Sequence, residues 1–382
     1  MTELADDTPA AGSSGTAPGA PGTSTASPGS PGSPNPEAPE HLRAILNWHF
    51  DPATGSPFWL REAAGLGFDP LTDIKDWADL RRFPDLSGKL RTVPVEALIP
   101  AGSTGGGFEV FESGGTVGAP KRVVDSTART ANVDWVSEIL AGHGFPGRGH
   151  WLHVGPTGPH VVGRTVRHLA QLRDSLCFTL DFDPRWVKRL IASGRPELAA
   201  EYREYLLDQI ELVVASQNIA VLFITPPVLE AVCGRPGLYE RLERSLEAIL
   251  WAGTSISAES LHQIEETFFP RARVAAIYGN TVMGIAPQRP RESGDEHPCV
   301  FRPYFPQSVV ELVHPETGLP VAYGERGQVL VHQLSRDMFL PNVPERDTAV
   351  RVRPGKGDDI DGLADIQPLR TEGAPTAIEG VY

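Results

Sequence analysis

The chain is poor in cysteine, in positive charge and in long apolar runs, and each shortage excludes something. Its 382 residues hold three cysteines, Cys177, Cys233 and Cys299, far apart and in apolar contexts. That excludes a disulfide framework and reads as core thiols in a reducing cytoplasm. Lys and Arg number 34 against 48 Asp and Glu, a net charge of −14. Such a balance argues against a nucleic-acid partner, which selects basic patches. No apolar run approaches the length that spans a bilayer, so a membrane location is not expected. The 11 histidines lack metal-ligand spacing, and even the closest pair, His150 and His153, fits no known zinc pattern. The first 39 residues lack aromatics and almost all large aliphatics, since 32 of them are Ala, Gly, Pro, Ser or Thr. A segment of that composition cannot bury enough apolar surface to offset its ordering entropy. It also lacks the basic start and apolar run of a signal peptide. It reads as a disordered tail without an assignable role.

From residue 40 onward the pattern is that of a folded α/β protein. Helical spacing is expected over His41–Phe50, Phe58–Gly67 and Asp73–Phe83. A strand at Glu109–Phe111 leads into a glycine-rich loop, and Lys121–Asp125 is the returning strand. A long helix follows from Ser126 to Gly142 or Gly144. Strands at Trp151–Val154, Ser175–Phe182, Ile219–Thr225, Glu247–Trp251 and Arg273–Tyr278 then alternate with helices. This order predicts a mostly parallel sheet covered on both faces. Runs at Val309–Val313 and Gln328–Gln333 predict a small antiparallel β-subdomain. The expected organisation is a tail over 1–39, an α/β core over 40–298, and a β-rich end of the same domain over 299–382. In parallel sheets ligands bind beyond the carboxyl ends of the strands. Ile224–Pro227, Trp251–Thr254 and Tyr278–Thr281 all fall there, so one cleft is expected to gather them with the glycine loop.

That loop, Glu112-Ser113-Gly114-Gly115-Thr116-Val117-Gly118-Ala119-Pro120-Lys121, carries the chemistry. Glycines let backbone N–H groups crowd around an anion, hydroxyls add donors, and lysine adds a point charge. It reads as a phosphate cradle, the alternative being a flexible glycine turn, and not as a Walker A loop, whose G-x-x-x-x-G-K-[ST] spacing is missing. Ser113–Lys121 resembles the phosphate-loop signature of adenylate-forming enzymes, the acyl-CoA synthetase, adenylation-domain and luciferase superfamily. Two further segments match in the same order. Tyr278-Gly279-Asn280-Thr281 resembles the family's Tyr-Gly-x-Thr-Glu motif, in which the aromatic stacks on adenine and the threonine reaches the phosphates. Glu345-Arg346-Asp347-Thr348 resembles its Arg-Thr-Gly-Asp region, where the aspartate holds the ribose hydroxyls; the alternative is a surface charge cluster.

The resemblance implies ATP as cofactor, bound by Ser113, Gly114, Gly115, Thr116, Gly118, Lys121, Gly253, Thr254, Tyr278, Gly279, Asn280, Thr281 and Asp347. Lys121, Thr281 and Thr116 would be the catalytic set. His160, Phe223, Trp251 and Met283 are the candidate acyl-pocket residues, although His160 also reads as an incidental residue in a capped turn. The family's Mg²⁺-binding glutamate is replaced here by Val282, which offers no oxygen ligand. Either phosphates and water hold the metal, or adenylation is weak. Only 35 residues follow Asp347, whereas family members carry a mobile C-terminal domain with a further lysine, and Lys356 does not stand in for it. The short form is similar to the arylcarboxylate-activating proteins of phenazine antibiotic pathways, relatives of phenylacetate–CoA ligase. It implies activation of an aromatic carboxylic acid for transfer to a thiol or for reduction, with a reductase or thiol acceptor as partner. The rival expectation is a non-catalytic protein that presents an aromatic acid or an adenylate. In a third, another chain supplies the lysine.

Overall fold

The computed structural model describes residues 37–103, 107–114 and 118–369; the first 36 residues of the tail expected over 1–39 and the loop residues Gly115 and Thr116 lie outside them, and the first helix begins within the expected tail, at Glu37. The helices are α1 (Glu37–Phe50), α2 (Pro57–Glu62), α3 (Pro70–Asp73), α4 (Ala128–Gly142), α5 (Val161–Gln171), α6 (Pro184–Ala192), α7 (Pro196–Ser216), α8 (Pro226–Cys233), α9 (Pro236–Ser245) and α10 (Ala258–Gln263). The strands are β1 (Glu109–Glu112), β2 (Arg122–Asp125), β3 (His150–Gly155), β4 (Cys177–Asp181), β5 (Ile219–Ile224), β6 (Ala248–Trp251), β7 (Arg273–Asn280), β8 (Gly284–Pro287), β9 (Val300–Phe301), β10 (Ser308–Val313), β11 (Arg326–Leu334), β12 (Phe339–Val352) and β13 (Gly362–Pro368).

The main sheet has the order β4-β3-β5-β6-β7-β8. All its pairings are parallel except that of β7 with β8. Alternation along the strands builds a core on each face, since successive side chains point to opposite sides. Trp151, Val221, Phe223 and Leu250 pack against Val133, Val136 and Leu140 of α4 and Val166 and Leu169 of α5. Leu152, Leu222, Ile224 and Ile249 face Leu207 and Ile210 of α7, Val228 of α8 and Leu242 of α9. The expected doubly covered parallel sheet is therefore present, and so is the antiparallel sheet, in the order β10-β11-β12-β13-β9. A third apolar cluster joins Leu42 and Trp59 from the first helices to Tyr278, Val282 and Met283 beside β7 and to Leu334, Phe339 and Val343 of the antiparallel sheet.

The expected helix over Asp73–Phe83 is instead two short pieces. Asp76 and Asp79 form a reciprocal capping box that starts a new 3₁₀ turn at Trp77, and such a box ends whatever precedes it. The three cysteines are free, and burial pushes the Cys299 thiol up to about 12. Among the described residues no helix is long and apolar enough to cross a membrane.

The two sheets are tied at the start of α4. Asp337 accepts hydrogen bonds from the backbone N–H groups of Ser126 (2.9 Å), Thr127 (2.8 Å) and Ala128 (3.3 Å), and from the Ser126 hydroxyl. It acts as a helix cap supplied from 200 residues away. Burial pushes its carboxyl up, but these donors outweigh burial and hold it below the ordinary value. A depressed carboxyl contributes stability above its unfolded pKa and loses it as pH falls through the folded one. Asp337→Ala is expected to cost about 1–2 kcal/mol at pH 7 and progressively less as the pH falls below the ordinary carboxylate range. Urea denaturation at pH 7 and in that acid range checks this, and an equal loss at both would exclude the cap.

Candidate active site

The matching segments meet beside β7, with the β1–β2 hairpin and β12 both reaching the site. The hairpin holds the glycine loop at its neck. Ser113 N–H donates to Lys121 O at 3.0 Å, and Lys121 N–H returns to Ser113 Oγ at 2.8 Å. Ser113 thus closes the loop on itself. Gly118 lies at φ +83°, a left-handed conformation that favours glycine. The Lys121 side chain crosses to β12, where Nζ meets Glu345 Oε1 at 2.5 Å, both groups being buried.

Glu345 and Asp347 are two residues apart on β12 and so project from the same face. Asp347 Oδ2 accepts the Tyr278 hydroxyl at 2.8 Å. Three matching segments, from the glycine loop, β7 and β12, are thereby joined by two polar contacts. Burial and the neighbouring Asp347 charge push the Tyr278 hydroxyl well above its ordinary value. Burial raises the Asp347 carboxyl too, opposed by the Tyr278 hydroxyl and by Lys121, Arg346 and Lys188. The Tyr278 ring is 9% exposed and leans on Phe301, centroids 6.0 Å apart.

The turn after Tyr278 is held from behind. Asn280 Oδ1 accepts the N–H groups of Val282 (3.0 Å) and Met283 (2.7 Å). Arg129 of α4 donates to the carbonyls of Thr281 and Val282. Asn132, one turn along α4, clasps both backbone groups of Ile285 at 2.9 Å. Gly284, at φ +89°, lies where a Cβ would come within 2.8 Å of Asn132 Oδ1 and 2.9 Å of Arg129 Nη1. Gly279 is needed for packing as well, because a Cβ there would meet Ile285 Cδ1 at 2.6 Å. Arg129 and Asn132 carry no mark in the sequence, where they read as ordinary helix positions.

The remaining expected residues divide. Gly253 (φ +94°) and Thr254 follow the end of β6. Trp251 Nε1 and Thr254 Oγ1 are buried donors without a protein partner. Buried donors demand one, so these two at the end of β6 fit a ligand rich in acceptors. Phe223 and Met283 are 1% and 3% exposed and belong to the apolar clusters. Phe223 stacks on His153 at 4.9 Å, and burial holds that imidazole down at about 4. His160 begins α5 without a side-chain cap. Burial lowers it, followed by Arg185, with Asp183 and Glu112 pulling the other way.

Val282 is fully buried in the apolar cluster. Among the described residues no group of three or more His, Cys, Asp or Glu could hold a metal ion.

No family model matches the chain, and no curated protein does. Solved structures do. The open conformation of a 2-hydroxyisobutyryl-CoA ligase, in complex with 2-HIB-AMP and CoA, aligns with a TM-score of 0.60 at 14% identity, over 87% of this chain and 69% of that one. The same ligase in its postadenylation state gives 0.58 at 15%, over 87% and 68%. The chain therefore shares the α/β fold of these ligase structures over most of its length.

Proposed function

We propose that this protein activates a carboxylic acid with ATP. The supporting observation is the meeting of Tyr278 with Asp347 and of Lys121 with Glu345 on one face of β12, on a fold shared with an acyl-CoA ligase. In the reaction a carboxylate oxygen forms a bond to the α-phosphorus. The bond from that phosphorus to the bridging oxygen breaks, and pyrophosphate leaves with the electron pair. Catalysis is then mainly positioning and charge stabilisation. The loop from Ser113 to Lys121, with Gly115 and Thr116 in it, would line the phosphates. Asp347 would exchange the Tyr278 hydroxyl for ribose hydroxyls, while Thr254 would satisfy its free donor on the nucleotide. No step is assigned to a protein-held metal.

The finer reading is an aromatic acid, passed as its adenylate to a thiol or a reductase, in the manner of the phenazine-pathway activating proteins within the phenylacetate–CoA ligase branch. It rests on the sequence resemblance. Pyrophosphate exchange over a panel of aromatic and aliphatic acids tests both levels: exchange with aliphatic acids alone removes the finer one, and no exchange with any acid removes catalysis. The burial of Val282 favours a second reading, a protein that binds an aromatic acid or adenylate and presents it to a partner without turnover. That protein would bind ATP or adenylate in calorimetry and show no exchange.

Asp347→Ala removes a charged acceptor from the proposed ribose site. It is expected to weaken ATP about 10–100-fold, the worth of hydrogen bonds to a charged group. Calorimetry reads this directly, and unchanged affinity would remove Asp347 from the site.

A further inference from the structure

Nine large apolar side chains are exposed among the described residues, and six of them fall in the run from Leu172 to Leu212. Leu176, 61% exposed, leads into β4, the edge strand of the main sheet. Trp186 stands on α6, and Leu198, Tyr205 and Leu212 stand on α7. Each of those three follows the last by seven residues, so they line one stripe of the helix. Another side of α7 already carries Leu207 and Ile210 into the core. A helix apolar on two sides has a second surface to cover. The stripe lies at the same corner as β4. Phe182, just past β4, stacks on Tyr202, and Tyr202 on Tyr205. From there α7 returns to Ile219, the first residue of β5, and β3, β4 and β5 are parallel. The helix therefore runs back along the sheet toward the end at which Leu176 lies. A concentration of exposed apolar groups on this scale marks an interaction surface.

Charge selects the occupant. The charged residues of α6 are all basic, whereas α7 has five acidic residues against one arginine. Glu201 follows Leu198 by three residues and precedes Tyr205 by four, and Asp208 is placed likewise between Tyr205 and Leu212, so both border the stripe. Asp208 also pairs with Arg235 at 2.6 Å. Two α7 helices packed on each other across a twofold axis would set these carboxylates against their own copies, and like charges across an interface are costly. A basic face with an aromatic anchor avoids that repulsion. α6 presents one, since Trp186 and Arg189 are both exposed and, three residues apart, share a side of the helix. We propose that this corner is the interface of a homodimer, with α6 of each protomer seated on the α7 stripe of the other. The contact is isologous: each chain gives an α6 face and receives one on α7, so the pairing closes with two copies. Trp186 and Tyr205 are its anchors, residue types that dominate such surfaces, and Arg189 meets the acidic border at Glu201. The dimer is independent of the ATP reading.

Sedimentation equilibrium of the full-length protein at micromolar concentration is the test. The expected species is twice the 41.2 kDa of one chain. Tyr205→Glu changes a side chain that is 55% exposed, and it should weaken the dimer about a hundredfold. Arg189→Glu and Glu201→Arg should each weaken it about tenfold, and the two together should recover most of the loss. In a dimer made by α7 on α7, Glu201→Arg alone would instead tighten association. Circular dichroism and urea denaturation confirm that the variants are folded. A monomeric wild type would overturn the proposal and leave the corner to a partner of another kind. A dimer that survives Tyr205→Glu, or one that Glu201→Arg tightens, would overturn it as well. None of these outcomes bears on nucleotide binding.

Discussion

Lys121→Met is expected to destabilise the fold by about 3–5 kcal/mol, far more than loss of a loop residue would. In the sequence Lys121 is the last residue of a phosphate loop, and its removal would be a test of affinity. In the fold it is one half of a buried ion pair whose other half, Glu345, sits 224 residues away on β12. Removing the ammonium leaves a carboxylate that burial already pushes up and that only Lys121, with a smaller pull from Arg346, draws back down. Breaking one side of a buried pair leaves an uncompensated charge, whereas replacing both sides with apolar groups is close to neutral. Lys121→Met combined with Glu345→Leu is therefore expected to recover most of the loss. Chemical denaturation of the two single variants and the double variant measures the coupling. A loss below about 1 kcal/mol for Lys121→Met would mean that water solvates the pair. The same comparison separates folding from ligand binding. The double variant should be stable, and any nucleotide affinity it retains must come from groups other than Lys121.

The contrast between Lys121 and the strand cores shows where sequence is readable. Val221 to Ile224 alternate between two helix layers, and the run of β-branched and large apolar residues announces a doubly buried strand before any partner is known. The order of the three site motifs was legible for the same reason, because glycine, hydroxyl and aromatic residues at fixed local offsets carry local chemistry. The other elements were hidden by non-local causes. β12 contains Pro341 and Pro344, which lack an N–H for the ladder and break the strand pattern. The fold absorbs them with register shifts against β11 and with Asn342 at φ +53°. α9 opens with Pro236-Gly237, which reads as a turn. Glu345 and Arg129 are charged residues in amphipathic elements, where charge normally signals a solvated face. Only the packing of one element on another turns them inward.

Arg129 supplies the second large effect. Its guanidinium is buried between the turn at Thr281–Val282 and Asp125, whose Oδ2 lies 3.8 Å from Nε, and it stands 5.3 Å from the Phe111 ring. Asp125 is fully buried. Burial pushes its carboxyl to about 6, even though Arg129 draws it back. An acid raised in the folded state makes stability fall as pH climbs from its unfolded value through the folded one. For Asp125 that is a decline between about pH 4 and pH 6. Arg129→Leu removes the opposing cation and moves the window upward. At pH 8 the variant must either bury an uncompensated carboxylate or protonate it far from its ordinary range. The expected cost is about 3–5 kcal/mol at pH 8 and distinctly less at pH 5, where Asp125 enters the fold as the neutral acid. Urea denaturation at both pH values checks the sign, and a penalty independent of pH would show that Asp125 does not rely on Arg129. The same variant frees the carbonyls of Thr281 and Val282 from their only charged anchor among the described contacts. Nucleotide affinity is expected to fall with the turn even at pH 5, where the fold itself is nearly restored. A binding loss that survives the recovery of stability would place Arg129 behind the site as the residue that positions Asn280 and Thr281.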